Sequence, residues 1–176
     1  MPLLARPALA LGLTVLAAMN HRVPPVRPQL PQVTRVRVVK SAHVLELYAG
    51  ETLLERDTVA IGPGGTGPKL QEGDRVTPVG HYHIAARHPS ERFHIFLLVD
   101  YPNREDRARF AALKAHGDLP RDAHIGGNVG VHGGSQASWP DGKVQDWTAG
   151  CIAVDDATIE RIAARVKDGT DLDIED

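Results

Sequence analysis

Residues 34–50 read "TRVRVVKSAHVLELYAG", and the fold class is read from their alternation. Successive side chains of a strand point to opposite faces, so Val36 and Val38 share one side of the chain and Arg35 and Arg37 the other. Leu45 and Leu47 repeat the pattern, and two half-buried strands are predicted. Ala49-Gly50 offers a turn, after which "AGETLLERDTVAIG" (49–62) carries the alternation onward as an opening antiparallel meander.

Downstream, "HYHIAAR" (81–87) and "FHIFLLV" (93–99) supply two more strand candidates, separated by a turn at Pro89-Ser90. Two helices are predicted. "NREDRARFAALKAHG" runs from an Asn103 cap to Gly117. "DDATIERIAARVKDG" has an Asp155 cap, a stripe of Ile159, Ile162, Ala163 and Val166, and a stop at Gly169. "TDLDI" (170–174) alternates back into a last strand. No regular strand-helix-strand alternation appears, which speaks against a doubly wound parallel sheet. The expected fold class is mainly β, sandwich-like, with two peripheral α-helices.

Upstream, "MPLLARPALALGLTVLAAMN" places Arg6 ahead of an apolar run from Ala8 to Met19, the layout of a secretory signal or signal anchor. "HRVPPVRPQLPQ" follows, with four prolines and no apolar periodicity, the composition of an extended tether. The expected organisation is a signal peptide or anchor over 1–20, a proline-rich linker over 21–33 and one folded domain over 34–176. That layout implies export to the periplasm or cell envelope. A formal charge of −2 with both signs interspersed leaves no electrostatic footprint for nucleic acid.

Export makes the single cysteine conspicuous. Exported proteins usually carry cysteines in pairs, whereas Cys151 has no second thiol to join. It is either an inert buried hydrophobe or chemically employed. "NVGVHGGSQ" (128–136) sets His132 at a strand end before two glycines, and nineteen positions on Gly150-Cys151 opens "CIAV" ahead of the last helix. A thiol and an imidazole on neighbouring strand ends can meet. The chemistry needs both, because a free thiol with a pKa near ~8.5 is only a few per cent thiolate at neutral pH. At Gly150 the missing Cβ lets the backbone amides of Gly150 and Cys151 approach a developing oxyanion. Thr148 can hydrogen-bond within that turn. The intervening residues, from Gly134 to Ala149, have the polar, Gly/Pro-punctuated composition of a surface loop, with Trp139 and Trp147 along it.

Two other features read as structure. "GPGGTGPK" (62–69) fails the phosphate-loop template because Pro68 separates Gly67 from Lys69 and Leu70 stands where a hydroxyl belongs, so it is expected to be a loop between strands. Among the nine histidines, His81 and His83 share a strand face and His88 and His94 lie near in sequence. No H-E-x-x-H and no cysteine pair accompanies them, so no metal site is expected and these are taken as solvated or hydrogen-bonded strand residues.

"HG", fourteen residues, then "TAGC" and "IAV" resembles the H-G-x(n)-[S/T]-x-G-C-[I/V] signature of the YkuD-type L,D-transpeptidase catalytic domain. "GPKLQEGDRVTPVGHYHI" resembles that family's G-D-x-x-T-P-x-G-x-Y segment. "PSERFHIFLLVDYPNREDRA" and "DWTAGC" resemble one branch of it, which includes hydrolytic members that release wall-bound lipoprotein. The resemblance spans roughly residues 34–175.

It implies Cys151 as nucleophile, His132 as general base, the Gly133 carbonyl as the group orienting the imidazole, and the amides at Gly150 and Cys151 as oxyanion donors. Thr148, Trp147, Tyr101 and Ser90 would line the substrate, although Trp147 is equally placed to pin the loop, and Arg87, Arg92 or Lys69 either meet its carboxylates or are solvated surface bases. Where many members carry Ser-His-Gly-Cys, Ala149 stands in place of the second histidine. The implied reaction is acyl transfer on peptidoglycan stem peptides through a thioester, without a cofactor. An amine acceptor from another stem makes a 3-3 crosslink, an anchored protein gives attachment, and water gives an amidase or carboxypeptidase. The resemblance also implies that a carbapenem traps the acyl-enzyme.

Overall fold

A long strand that changes partners halfway organises the molecule. A computed structural model gives the fold, described over residues 30–135 and 144–176. The signal, most of the linker and Trp139 lie outside the described residues. The chain enters through β1 (Arg35–Val39), β2 (Val44–Ala49) and β3 (Thr52–Thr58), an antiparallel meander as the alternation predicts. A loop holding the glycine-rich stretch leads to β4 (Gly80–Ser90), β5 (His94–Val99) and helix α1 (Arg104–His116). Short strands β6 (Gly130–His132) and β7 (Ile152–Ala153), helix α2 (Asp156–Ala163) and β8 (Asp171–Glu175) complete it.

The eight strands lie in the order β3-β2-β1-β8-β4-β5-β6-β7. Residues 80–83 of β4 pair with β8, whereas residues 84–90 pair with β5, and a bulge separates Ile84 from Ala86. Bulges bend a strand and raise its twist, so the sheet curls at β4 into two facing halves. Its two ends meet at a bridge between Ala60 and Ala153. This is the expected mainly β architecture, built as one curled sheet. Most pairs are antiparallel, and β1–β8 and β6–β7 are parallel.

Val36, Val38, Leu45 and Leu47 all face the core, fully buried beside Leu172 and Ile174 of β8. Each such side chain contributes roughly 1.5–3 kcal/mol by leaving water. Val33, expected in the linker, is also buried, and its amide donates to the Arg165 carbonyl at 2.9 Å. Packing thus begins one residue before the boundary set by composition.

Both helix starts match their caps. Asn103 accepts from the amides of Glu105 and Asp106 in a capping box closed by the Asp106 carboxylate, and Asp155 accepts from Thr158 N–H. Gly117 ends α1 at φ +82°. α2 stops at Ala163, short of the expected Gly169, because Arg165 N–H turns to the Ile162 carbonyl and Gly169 N–H pairs with Ile84 of the sheet. β4 runs on through Pro89, and the turn falls at Glu91–Phe93. Pro89 has no amide to donate, and Ser90 Oγ accepts the Phe93 N–H at 3.1 Å to shape the turn one step later.

Candidate active site

Parallel pairing of β6 with β7 sets Val131 beside Ile152 and His132 beside Ala153. Continuing the register one residue backward brings Cys151 next to Gly130, on the face His132 occupies. Both residues line a cavity of about 380 Å³ with Phe93, Phe96, Asn128 and Trp147. His132 is fully buried, while Cys151 is half-buried and free. The sulfur is therefore at a cavity wall and not sealed in the core.

Four contacts hold the imidazole. Its Nδ1 lies 2.6 Å from the Gly133 carbonyl oxygen, so an Nδ1–H donated there leaves the Nε2 lone pair to accept a proton. The Phe96 ring stacks on it at 5.7 Å between centroids, Phe93 lies tilted at 4.1 Å, and Trp147 meets it edge-on at 5.8 Å. Burial under these rings lowers the His132 pKa below its ordinary 6.5, with the Gly133 bond opposing the fall and the charge of Arg92 adding to it. Burial likewise raises the Cys151 thiol, opposed by the backbone at Gly130 and the positive charge of Lys69. Both directions favour the uncharged thiol and the uncharged imidazole at neutral pH.

Thr148 shapes the loop before the cysteine. Its hydroxyl donates to the Cys151 carbonyl at 2.7 Å and accepts the Gly150 N–H at 3.2 Å. The Gly150 amide is therefore turned toward Thr148 in this structure. Gly150 itself is obligatory, since φ is +128° and a Cβ would lie 2.8 Å from the Val76 carbonyl oxygen. Asp146 pins the loop from below, accepting the Ile61 N–H at 2.9 Å and meeting His43 Nε2 at 3.1 Å. Ile61 returns its carbonyl to the amides of Trp147 and Thr148.

A second cavity of about 150 Å³ opens on the other side of Cys151, lined by Lys69, Glu72, Asn128 and Gly150. Lys69 is buried there in an ion pair with Asp74, whose carboxylate also gathers the amides of Leu70, Gln71 and Val76. Arg92 lines the larger cavity with its guanidinium over Phe93. Arg87 lies elsewhere, donating to the Ala163 carbonyl.

Of the expected site residues, the fold brings together Cys151, His132, Gly133, Gly150, Thr148 and Trp147. Tyr101 instead points into the core, its hydroxyl donating to the Ile125 carbonyl, and Ser90 shapes the β4–β5 turn. Neither lines the two cavities beside Cys151. Phe93, Phe96, Asn128 and Asp146 were not singled out by sequence. Phe96 had a signal, because the alternation of "FHIFLLV" puts it on one face with Leu98, but only the register with His132 shows what it covers.

A family model described as the L,D-transpeptidase catalytic domain matches residues 33–174. YafK of Escherichia coli (strain K12), itself described as a candidate L,D-transpeptidase, is 32% identical over 92 residues, 47% of this chain and 37% of that protein. The helical cell shape determining protein Pgp2 from Campylobacter jejuni superposes with a TM-score of 0.60 at 24% identity, covering 83% of this chain and 48% of Pgp2. Bd1075 of Bdellovibrio bacteriovorus superposes at 0.53 with 20% identity, over 82% of this chain and 48% of its own. At these identities the structural likeness is one of fold. The matched regions span less than half the length of each of these proteins.

Proposed function

Because the chain belongs to the L,D-transpeptidase catalytic domain family, we propose that it transfers acyl groups of peptidoglycan stem peptides through Cys151 and His132. One observation carries the reading: the free, half-buried thiol and a buried imidazole with its Nδ1 held by the Gly133 carbonyl line one cavity.

The steps use this chain's own groups. His132 Nε2 takes the thiol proton as sulfur attacks the carbonyl carbon of the third stem residue, the L-centre of a diamino acid. An S–C bond forms and the carbonyl electrons move to oxygen. The amides at Gly150 and Cys151 are the oxyanion donors, the Gly150 N–H exchanging Thr148 Oγ1 for substrate. Collapse breaks the C–N bond, the imidazolium returns its proton to the leaving amine of the fourth, D-residue, and a thioester remains. Proton transfer of this kind contributes about 10²–10⁴ in rate, and an oxyanion donor on the order of 10²–10³. An amine of a second stem or of a wall-attached protein, arriving by the other cavity, then attacks the thioester carbonyl: a C–N bond forms, the S–C bond breaks, and the amine's proton passes by way of His132 to the sulfur. No cofactor enters any step. An exported, envelope-located enzyme that shapes the wall follows from this reading.

Incubating the full chain with purified disaccharide-tetrapeptide and weighing the products tests it. Loss of the fourth residue with dimers supports transfer, and loss without dimers supports hydrolysis, including release of wall-bound lipoprotein. No change, or a change that persists in Cys151→Ala, overturns it.

A further inference from the structure

The outer face of the sheet carries a second group of chemically capable side chains, far from Cys151 in the strand order. His81 and His83 sit two apart on β4, so both imidazoles leave the sheet on the solvent side, while Tyr82 and Ile84 go to the core. β8 lies alongside, with Asp173 opposite His81 and Asp171 opposite His83. We propose that His81, His83 and Asp171 form a binding site for a divalent transition-metal cation of the zinc class, bridging β4 and β8.

Geometry and the surrounding carboxylates carry this. One ring nitrogen of each histidine and one carboxylate oxygen of Asp171 all lie within 4.8 Å of one another. His83 Nε2 is 3.5 Å from Asp171 Oδ1. A tetrahedral zinc site holds its nitrogens at about 2.0–2.1 Å, so these half-exposed side chains have only a small closure to make by rotation.

Each imidazole is also backed by a carboxylate. His81 Nδ1 is 2.7 Å from Asp173 Oδ1, and His83 Nδ1 is 3.0 Å from Asp100 Oδ2. Asp100 is clamped in turn, since its other oxygen accepts the His83 backbone N–H at 2.9 Å. A carboxylate behind the ring fixes its orientation and raises its basicity, the arrangement that accompanies metal-binding histidines. Three carboxylates around the two imidazoles favour a cation. Arg35, 3.9 Å from Asp173, offsets only part of that charge. Ordinary cross-strand His–Asp pairing explains each pair by itself, but not the convergence of both rings on Asp171. Three protein ligands leave a fourth position open to solvent.

The test is zinc titration of the full chain, its thiol first blocked with iodoacetamide, in competition with a chromophoric chelator. One equivalent of Zn²⁺ is expected to bind and to raise the melting temperature. His83→Ala and Asp171→Asn are each expected to weaken binding at least tenfold, while His88→Ala on the same strand leaves it unchanged. Should a variant fail to fold, diethyl pyrocarbonate labelling of the unaltered chain decides, with His81 and His83 protected by Zn²⁺. No stoichiometric binding, equal affinity in His83→Ala, or labelling of both histidines that zinc does not change would overturn the site.

Discussion

His132 Nδ1 lies 2.6 Å from the carbonyl oxygen of Gly133, the very next residue in the chain. The backbone thus sets the ring's orientation together with the packing of Phe93, Phe96 and Trp147, and it does so in a crowded place. A Cβ on Gly133 would fall 2.6 Å from Asp156 Oδ1 and 2.8 Å from the Phe93 carbonyl oxygen. Gly133→Ala is therefore expected to cost about 1–3 kcal/mol, the usual penalty of overpacking. It is also expected to slow acylation by a carbapenem at least tenfold. Urea denaturation and the rate of covalent mass gain check the two effects.

The pH profile of acylation follows from the neutral pair. His132 is held below its ordinary 6.5 and Cys151 above its ordinary 9.0. Protonating the imidazole removes the base, so the rate should fall only below pH 6.5, at the lowered His132 pKa, and stay level through neutrality. Stopped-flow acylation across pH measures this, with His132→Gln as a control expected to lose about 10²–10⁴ in rate. An acid limb already present above pH 6.5 would contradict the neutral resting state.

Asp146 is expected to hold the cysteine loop from outside the cavity. Removing its carboxylate in Asp146→Ala strands the N–H of Ile61, which is 95% shielded from solvent at 5% exposure. The cost should be about 1–3 kcal/mol, with a lower turnover because Thr148 shifts. Asp146→Asn keeps an acceptor for Ile61 and should recover part of both losses. Melting temperature and product formation on tetrapeptide substrate distinguish the two variants.

Glu46, buried in β2, accepts from Tyr48, Arg56 and Arg37. The Tyr48 hydroxyl and then the Arg56 guanidinium hold its carboxyl below the ordinary 4.5. A depressed folded-state value stabilises the protein above the unfolded pKa, and the gain disappears as pH falls through the folded one. The urea midpoint of the unaltered chain should therefore exceed that of Glu46→Gln at neutral pH. The gap should close well below pH 4.5.

Legibility in the sequence followed the range of the forces involved. The strands β1–β3 and the Asn103 and Asp155 caps depend on neighbours within a few residues and stand where they were expected, although Glu46 is buried between Leu45 and Leu47 and breaks the alternation in β2. The end of α2 and the turn after β4 did not, because tertiary partners such as Ile84 take over the hydrogen bonds that would have continued the local pattern. At the site, a lone thiol after glycine and a histidine before glycine were visible. Tyr101 was not readable as a core residue, since a Tyr-Pro-Asn string carries no sign of which way its ring points.

Local patterns carried the strand periods, the two helix caps and a thiol and an imidazole as candidate partners, because period, capping and side-chain chemistry are properties of adjacent residues. Long-range packing was needed to bring Phe93 and Phe96 over the imidazole, to turn the Gly150 amide to Thr148 and to set Lys69 near the thiol. It also decided that β8 would slide between β1 and β4, carrying Asp171 and Asp173 to histidines some ninety residues away in the chain. Register between distant strands is chosen by the burial of whole faces, and no local pattern encodes it.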